Sequence, residues 1–159
     1  MFNLSRFLVS SSNLSTSKLF DEKTFYNAFI QDLDKCTKEV IIESPYITSS
    51  RMGMLVPIFK KLLNKRVKIF LITRDPIEHD EHFRHQATNE MLECKEMGIN
   101  IILLHGNHHR KLAILDEKIL WEGSLNILSQ TYSHEIMRRI ESKELAKQMF
   151  SFLNVKSVM

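Results

Sequence analysis

The 159-residue chain is poor in the residues that mark special scaffolds. It has two cysteines, Cys36 and Cys94, and they form no CxxC pair. That argues against a zinc ribbon or a disulfide framework and fits a reducing compartment. Four glycines and three prolines exclude collagen-like and low-complexity chains. No apolar run approaches the ~18 residues that a membrane span needs. The amphipathic opening Met1 to Val9 is too short for a signal h-region with a clean cleavage site. Charge of one sign is also scarce. The 22 Lys+Arg against 19 Asp+Glu leave +3, which permits an anionic partner without requiring one. These absences lead us to expect a soluble, cytoplasmic protein with no stable membrane association.

What is present is a core. At this length, 43% hydrophobic residues suit one domain that needs neither metal nor disulfide. The serines Ser10, Ser11, Ser12, Ser15 and Ser17 mark residues 1–18 as a flexible lead-in, with a single domain over 19–159. Phe25, Phe29, Leu33 and Cys36 recur at helical spacing, with Asp21 as an N-cap. Val40 to Ile42 reads as a buried strand. A second helix follows through Met52, Leu55, Phe59 and Leu62, with Thr48 or Ser49 near its cap; Pro57 should kink it or shift its start. Val67 to Ile72 is a strand, Glu81 to Met97 a helix stopped by Gly98, and Ile99 to Leu104 a strand. Lys111 to Leu115 and Ile119 to Trp121 form a hairpin across Asp116-Glu117-Lys118, His134 to Ile140 is another strand, and Lys143 to Leu153 a closing helix. This order indicates an α/β fold, a mixed β-sheet sandwiched by helices.

The chemistry concentrates between His109 and Glu135. Residues two apart on a strand share a face, so His109 and Lys111 point one way while Leu112 and Ile114 enter the core. Ser124 and Asn126 are also two apart, beside a glycine that allows a tight turn. An imidazole, an ammonium, a hydroxyl and a carboxamide converging on one spot suit an anionic ester.

His109-x-Lys111-x-x-x-x-Asp116, followed by Gly123-Ser124-x-Asn126 and an acidic residue, resembles the HKD motif of the phospholipase D superfamily. Ile42 to Ile47 and Leu71 to Arg74 resemble strand ends of that fold. The resemblance implies that His109 is a nucleophile forming a phosphohistidine, and that Lys111 and Asn126 hold phosphate oxygens with help from Ser124. It makes Glu135 the group that orients the histidine and Asp116 a structural residue, and it implies no metal or other cofactor.

An unperturbed imidazole titrates near ~6.5, so one histidine can attack as the neutral base at pH 7. It cannot also be the protonated acid that expels the leaving group. No second motif exists here, because His82, His105 and His134 all lack the pattern. Similarity to single-copy, Nuc-type endonucleases therefore implies a homodimer with one shared site.

Arg110, Arg138, Arg139 and Lys143 flank the motif and would track a nucleic-acid backbone, with Arg51 and Arg74 on the same rim. The cluster Lys60, Lys61, Lys65, Arg66 and Lys68 reads instead as the exposed face and end of a helix. His79-x-x-His82-x-x-His85 has a spacing that zinc could use, yet it sits in a polar stretch and reads as a solvated helix start. His108 should be structural, and Trp121 should pack in the core. The expected function is a low-specificity nuclease acting on DNA, RNA or both, independent of metal. The alternatives are a phospholipase D-type phosphatidyl hydrolase or transferase, and a non-catalytic nucleic-acid-binding module on the same fold.

Overall fold

A computed structural model describes residues 16–129 and 132–154. Residues 1–15, most of the expected lead-in, lie outside the described residues. Ser17 and Lys18, assigned to that lead-in by the sequence pattern, open strand β1 (Ser17–Asp21). It is followed by α1 (Phe25–Asp34), β2 (Glu39–Glu43), α2 (Ser49–Asn64) and β3 (Lys68–Arg74). A 3₁₀ turn (Pro76–Glu78) leads into α3 (Glu81–Glu96) and β4 (Asn100–Leu104). Then come β5 (Leu112–Leu115), β6 (Ile119–Gly123), β7 (Ile136–Glu141) and α4 (Lys143–Phe152).

The seven strands form one mixed sheet in the order β1-β7-β6-β5-β2-β3-β4. β2, β3 and β4 are parallel, and the remaining pairings are antiparallel. β2 sits at the seam, and Val40 to Glu43 are buried on both of its faces, as a central parallel strand requires. Alternation divides the core. Val40, Ile42, Ile69, Leu71, Ala113 and Trp121 pack with α1, α2 and α3, while Ile41, Ile72, Leu112, Ile114 and Leu120 pack with α4.

The four-residue spacing of Phe25, Phe29 and Leu33 places all three, fully buried, on one side of α1. Phe25 stacks on Phe29 at 5.0 Å and meets Trp121 edge-on at 5.2 Å. Trp121 is therefore a core residue, and its Nε1 donates to Asp32 at 3.0 Å. The N-cap of α1 is Thr24 rather than Asp21. The Asp21 carboxylate serves the preceding turn, accepting from the backbone N–H groups of Lys23 and Thr24. Pro57 does not shift the start of α2, which runs through it from Ser49 with Thr48 at the cap. Gly98 ends α3 with φ at +92°. Cys36 and Cys94 are free and buried, and burial pushes each thiol up to about 12. Among the described residues no helix is long and apolar enough to cross a membrane.

Candidate active site

Topology brings the motif to one end of the sheet. β5 runs antiparallel to β2, so Leu112 at its start faces Glu43 at the end of β2. Leu112 also pairs with Glu122 near the end of β6, and Gly123 pairs with Met137 at the start of β7. His109 to Lys111, Gly123 to Asn126 and Glu135 therefore meet beyond the carboxyl ends of the parallel strands, where open α/β sheets carry their sites.

Each segment is tied down. Asp116 and Glu117 both have positive φ, 52° and 50°, in the tight turn that closes the β5–β6 hairpin. The Asp116 carboxylate accepts from the backbone N–H of Thr37, Lys38 and Glu39 at 2.8, 2.8 and 3.0 Å. Burial alone would raise its pKa; those donors outweigh it and hold the carboxyl below the usual aspartate range. Asp116 thus fixes the hairpin to the α1–β2 connection at the end of the sheet opposite His109. At the other end, the Gly123 position admits no side chain, because a Cβ there would lie 2.1 Å from the Ile136 carbonyl oxygen. Ser124 Oγ accepts from the Ile136 N–H at 3.1 Å, tethering the turn to β7. Beyond Asn126, the Tyr26 hydroxyl donates to the Ile127 carbonyl at 2.9 Å, and Thr48 N–H donates to the Leu128 carbonyl at 3.0 Å.

Lys111 Nζ lies 2.6 Å from His109 Nδ1 and also donates to the His109 carbonyl. Burial lowers the Lys111 pKa, and nearby Glu135 opposes the shift. Glu135 accepts from Ser133 Oγ at 2.6 Å, and its own N–H donates to Glu22. The Glu135 charge is felt at Lys111, and the group seated at His109 Nδ1 is Lys111. Asn126 Oδ1 is buried without a hydrogen-bond partner.

Glu43 is the main feature that the sequence pattern did not single out. It is fully buried behind the motif; Arg110 Nε donates to its Oε1 at 2.6 Å, and His108 Nε2 lies 2.9 Å from the same oxygen. Burial raises its pKa and Arg110 opposes the rise. On one side of His109, Arg110 is thus anchored to this carboxylate, and on the other His108 packs against the same oxygen without a hydrogen bond, so the peptide that carries the imidazole is held from Arg110. His108 has the structural place expected of it; burial, then the Arg110 charge, push its pKa down. The available signal was a charged residue ending an otherwise apolar strand.

The basic residues separate. Arg110, Lys111 and Arg138 line a groove of about 470 Å³. Lys143 is exposed at the first position of α4. Arg139 instead faces α1, where it donates to both Asp32 oxygens at 2.6 and 3.1 Å. Arg51 lies in the first turn of α2, 3.8 Å above the Tyr26 ring. Arg74 ends β3 and donates to Glu78 at 2.7 Å. His82 and His85 are exposed, as a solvated helix start predicts, but His79 is buried against Tyr46 with ring centroids 4.9 Å apart. Among the described residues no three His, Cys, Asp or Glu side chains are grouped to hold a metal ion.

Comparison with known proteins places this arrangement. The family model described as "Cardiolipin synthase, PLD-like domain" matches residues 29–154. No curated protein sequence matches the chain significantly. Among solved structures, the chain is similar to a phospholipase D family member, Nuc from Salmonella typhimurium, at 14% identity and a TM-score of 0.69, over 86% of this chain and 90% of that one. It is similar to NucT from Helicobacter pylori at 20% identity and a TM-score of 0.67, over 86% and 91%. It also resembles the phosphatidylserine synthase of Haemophilus influenzae Rd KW20 at 16% identity and a TM-score of 0.70, over 87% of this chain but 38% of that one. At these identities the likeness is one of fold.

Proposed function

The chain belongs to the phospholipase D-like domain family, and on that premise we propose that it is a metal-independent phosphodiesterase that cleaves nucleic acid in a site shared by two copies of the chain. The observation that carries this reading is the convergence of His109, Lys111, Ser124 and Asn126 at one sheet end, beside the groove lined by Arg110 and Arg138. The rest of the groove is walled by Leu19, Ile136, Met149 and Phe152, so a nucleic-acid backbone would follow the line of Arg110, Lys111 and Arg138 rather than fill the groove.

In the reaction, His109 Nε2 attacks phosphorus and the bond to the leaving oxygen breaks, giving a phosphohistidine. The leaving alkoxide takes a proton from the second copy's His109, and that imidazole then deprotonates the water that releases the phosphate. An ammonium offers only donors, so with Lys111 at Nδ1 a neutral ring carries its proton on Nε2. Attack needs the other tautomer. An entering phosphate draws Lys111 onto its oxygens, Nδ1 takes the ring proton, and the Nε2 lone pair is released; Glu135, whose charge is felt at Lys111, would have to turn from Ser133 to accept the Nδ1 proton. Asn126 donates to a second non-bridging oxygen.

The test is hydrolysis of single-stranded DNA, duplex DNA, RNA and bis-p-nitrophenyl phosphate in EDTA, with wild type beside His109→Ala. We expect cleavage by wild type and a loss of at least about a thousandfold in the variant. Cleavage of phosphatidyl substrates alone, or salt-sensitive nucleic-acid binding without any cleavage, would overturn the reading.

A further inference from the structure

A second cavity, of about 310 Å³, opens beside Asn126 on the α3 side of the site. Its walls are Tyr46, which follows β2, His79, which follows the 3₁₀ turn, and Phe83 in the first turn of α3. The Tyr46 ring lies 4.9 Å from His79 and 6.5 Å from Phe83, and it also meets His109 edge-on at 6.1 Å. The cavity and the nucleophile therefore share one aromatic wall.

The polar groups around it define what fits. His79 is 7% exposed, and neither ring nitrogen makes a hydrogen bond of sound geometry, the Pro45 carbonyl lying close but misaligned. Burial, then the Arg74 charge, keep that ring neutral. Asn126 Oδ1 is the other buried atom without a partner at this cavity. An acyl chain would leave all three polar atoms dry and unpaired, at a cost. Arg74 is already neutralised by Glu78, 2.7 Å away, so the floor offers no free cation for a phosphate. The Asp80 carboxylate at the rim accepts from the Phe83 N–H at 3.2 Å as the cap of α3, and a quaternary ammonium drawn to it would still leave the His79 and Asn126 atoms unpaired. A flat, neutral heteroaromatic ring with its own donors and acceptors satisfies both the aromatic faces and the unpaired atoms.

We propose that the cavity between Tyr46, His79 and Phe83 is a subsite for the nucleobase adjoining the scissile phosphodiester. This rests on the nuclease reading above and adds to it a recognition element, since Asn126 touches both the cavity and the phosphate site. A base in this cavity must leave its stack, so an unpaired nucleotide is the natural occupant.

The experiment is calorimetric titration of the full chain with thymidine 5′-monophosphate, deoxyribose 5-phosphate, inorganic phosphate and glycerophosphocholine. Wild type, Phe83→Ala and Phe83→Trp are compared. Phe83 is 41% exposed, so its replacement leaves the core intact. The nucleotide should bind at least tenfold tighter than deoxyribose 5-phosphate to wild type, at near parity to Phe83→Ala, and with the advantage restored in Phe83→Trp. Parity in wild type, or an advantage untouched by Phe83→Ala, overturns the subsite. Tighter binding of glycerophosphocholine than of the nucleotide overturns it in favour of a lipid headgroup. Oligonucleotide hydrolysis by the same preparations separates the two claims. Hydrolysis with parity removes the subsite and leaves the nuclease, whereas the tenfold advantage without hydrolysis keeps the subsite and removes the nuclease.

Discussion

Asp116 collects its backbone donors from a left-handed conformation, φ 52°, that asparagine also tolerates. Asp116→Asn therefore keeps the turn and exchanges one acceptor for a donor facing the Thr37 N–H, an expected loss of about 1–3 kcal/mol. The folded carboxyl titrates below its unfolded value. Its contribution is then complete at neutral pH and disappears as the pH falls through the folded value. Melting curves of the two proteins should be far apart at pH 7 and converge in strongly acid solution, below about pH 4. Neighbouring arginines are expected to differ in kind. Arg139→Ala removes the cation from the buried Asp32 carboxylate, leaving it the Trp121 Nε1–H as a neutral donor, and should cost about 3 kcal/mol in urea unfolding, with no change in the salt dependence of nucleic-acid binding. Arg138→Ala should lower the slope of log K against log salt by about 1, at a cost in urea unfolding limited to its one hydrogen bond to Ser17, about 1 kcal/mol.

At the scale of elements, the β6–β7 junction determines whether the site is assembled. A methyl group at Gly123 would collide with the Ile136 carbonyl and Met137, so Gly123→Ala must part the two strands where Ser124 bridges them. We expect a loss of about 1–3 kcal/mol in urea unfolding and, in the fraction still folded, a fall in phosphodiester hydrolysis greater than in substrate binding. The junction was readable from sequence because it is local: strand, Gly-Ser-x-Asn and strand follow one another within about twenty residues. The same holds for α1, α2 and α3, whose apolar spacing is written in consecutive turns, although the cap of α1 fell to Thr24 and not to Asp21. What the pattern concealed is non-local. Glu43 acquires its role only when β5 pairs with β2 and brings His108 and Arg110 to it. His79 reads as part of a polar run, and its burial comes from Tyr46, delivered by another strand. Arg138 and Arg139 look alike in sequence; the alternation of β7 sends one to the groove and the other to α1. β1 stayed hidden because its five residues continue from a serine-rich stretch and carry little alternation, and its partner is β7, far along the chain.

At the scale of the molecule, one His109 per chain cannot be both nucleophile and acid, so the proposed chemistry sets a stoichiometry. The native mass by light scattering should be twice the 18.7 kDa of the chain, and specific activity should fall on dilution through the dimer dissociation constant. A single chain with full activity at nanomolar concentration would remove the shared site. The pairing of β1 with β7 has a consequence in time rather than in space. Ser17 is bonded by Arg138, 121 positions downstream, and Ser17 pairs with Ile140. During synthesis β1 leaves the ribosome long before its partner exists, as an unpaired edge with nothing to bond. β7 also anchors Gly123 and Ser124, so the strand that closes the sheet is the one that completes the site. Contacts of such separation form late and slowly. A nascent chain halted before Ile136 would carry His109 without the scaffold to aim it, so the proposed phosphodiester chemistry could begin only after the sheet is closed.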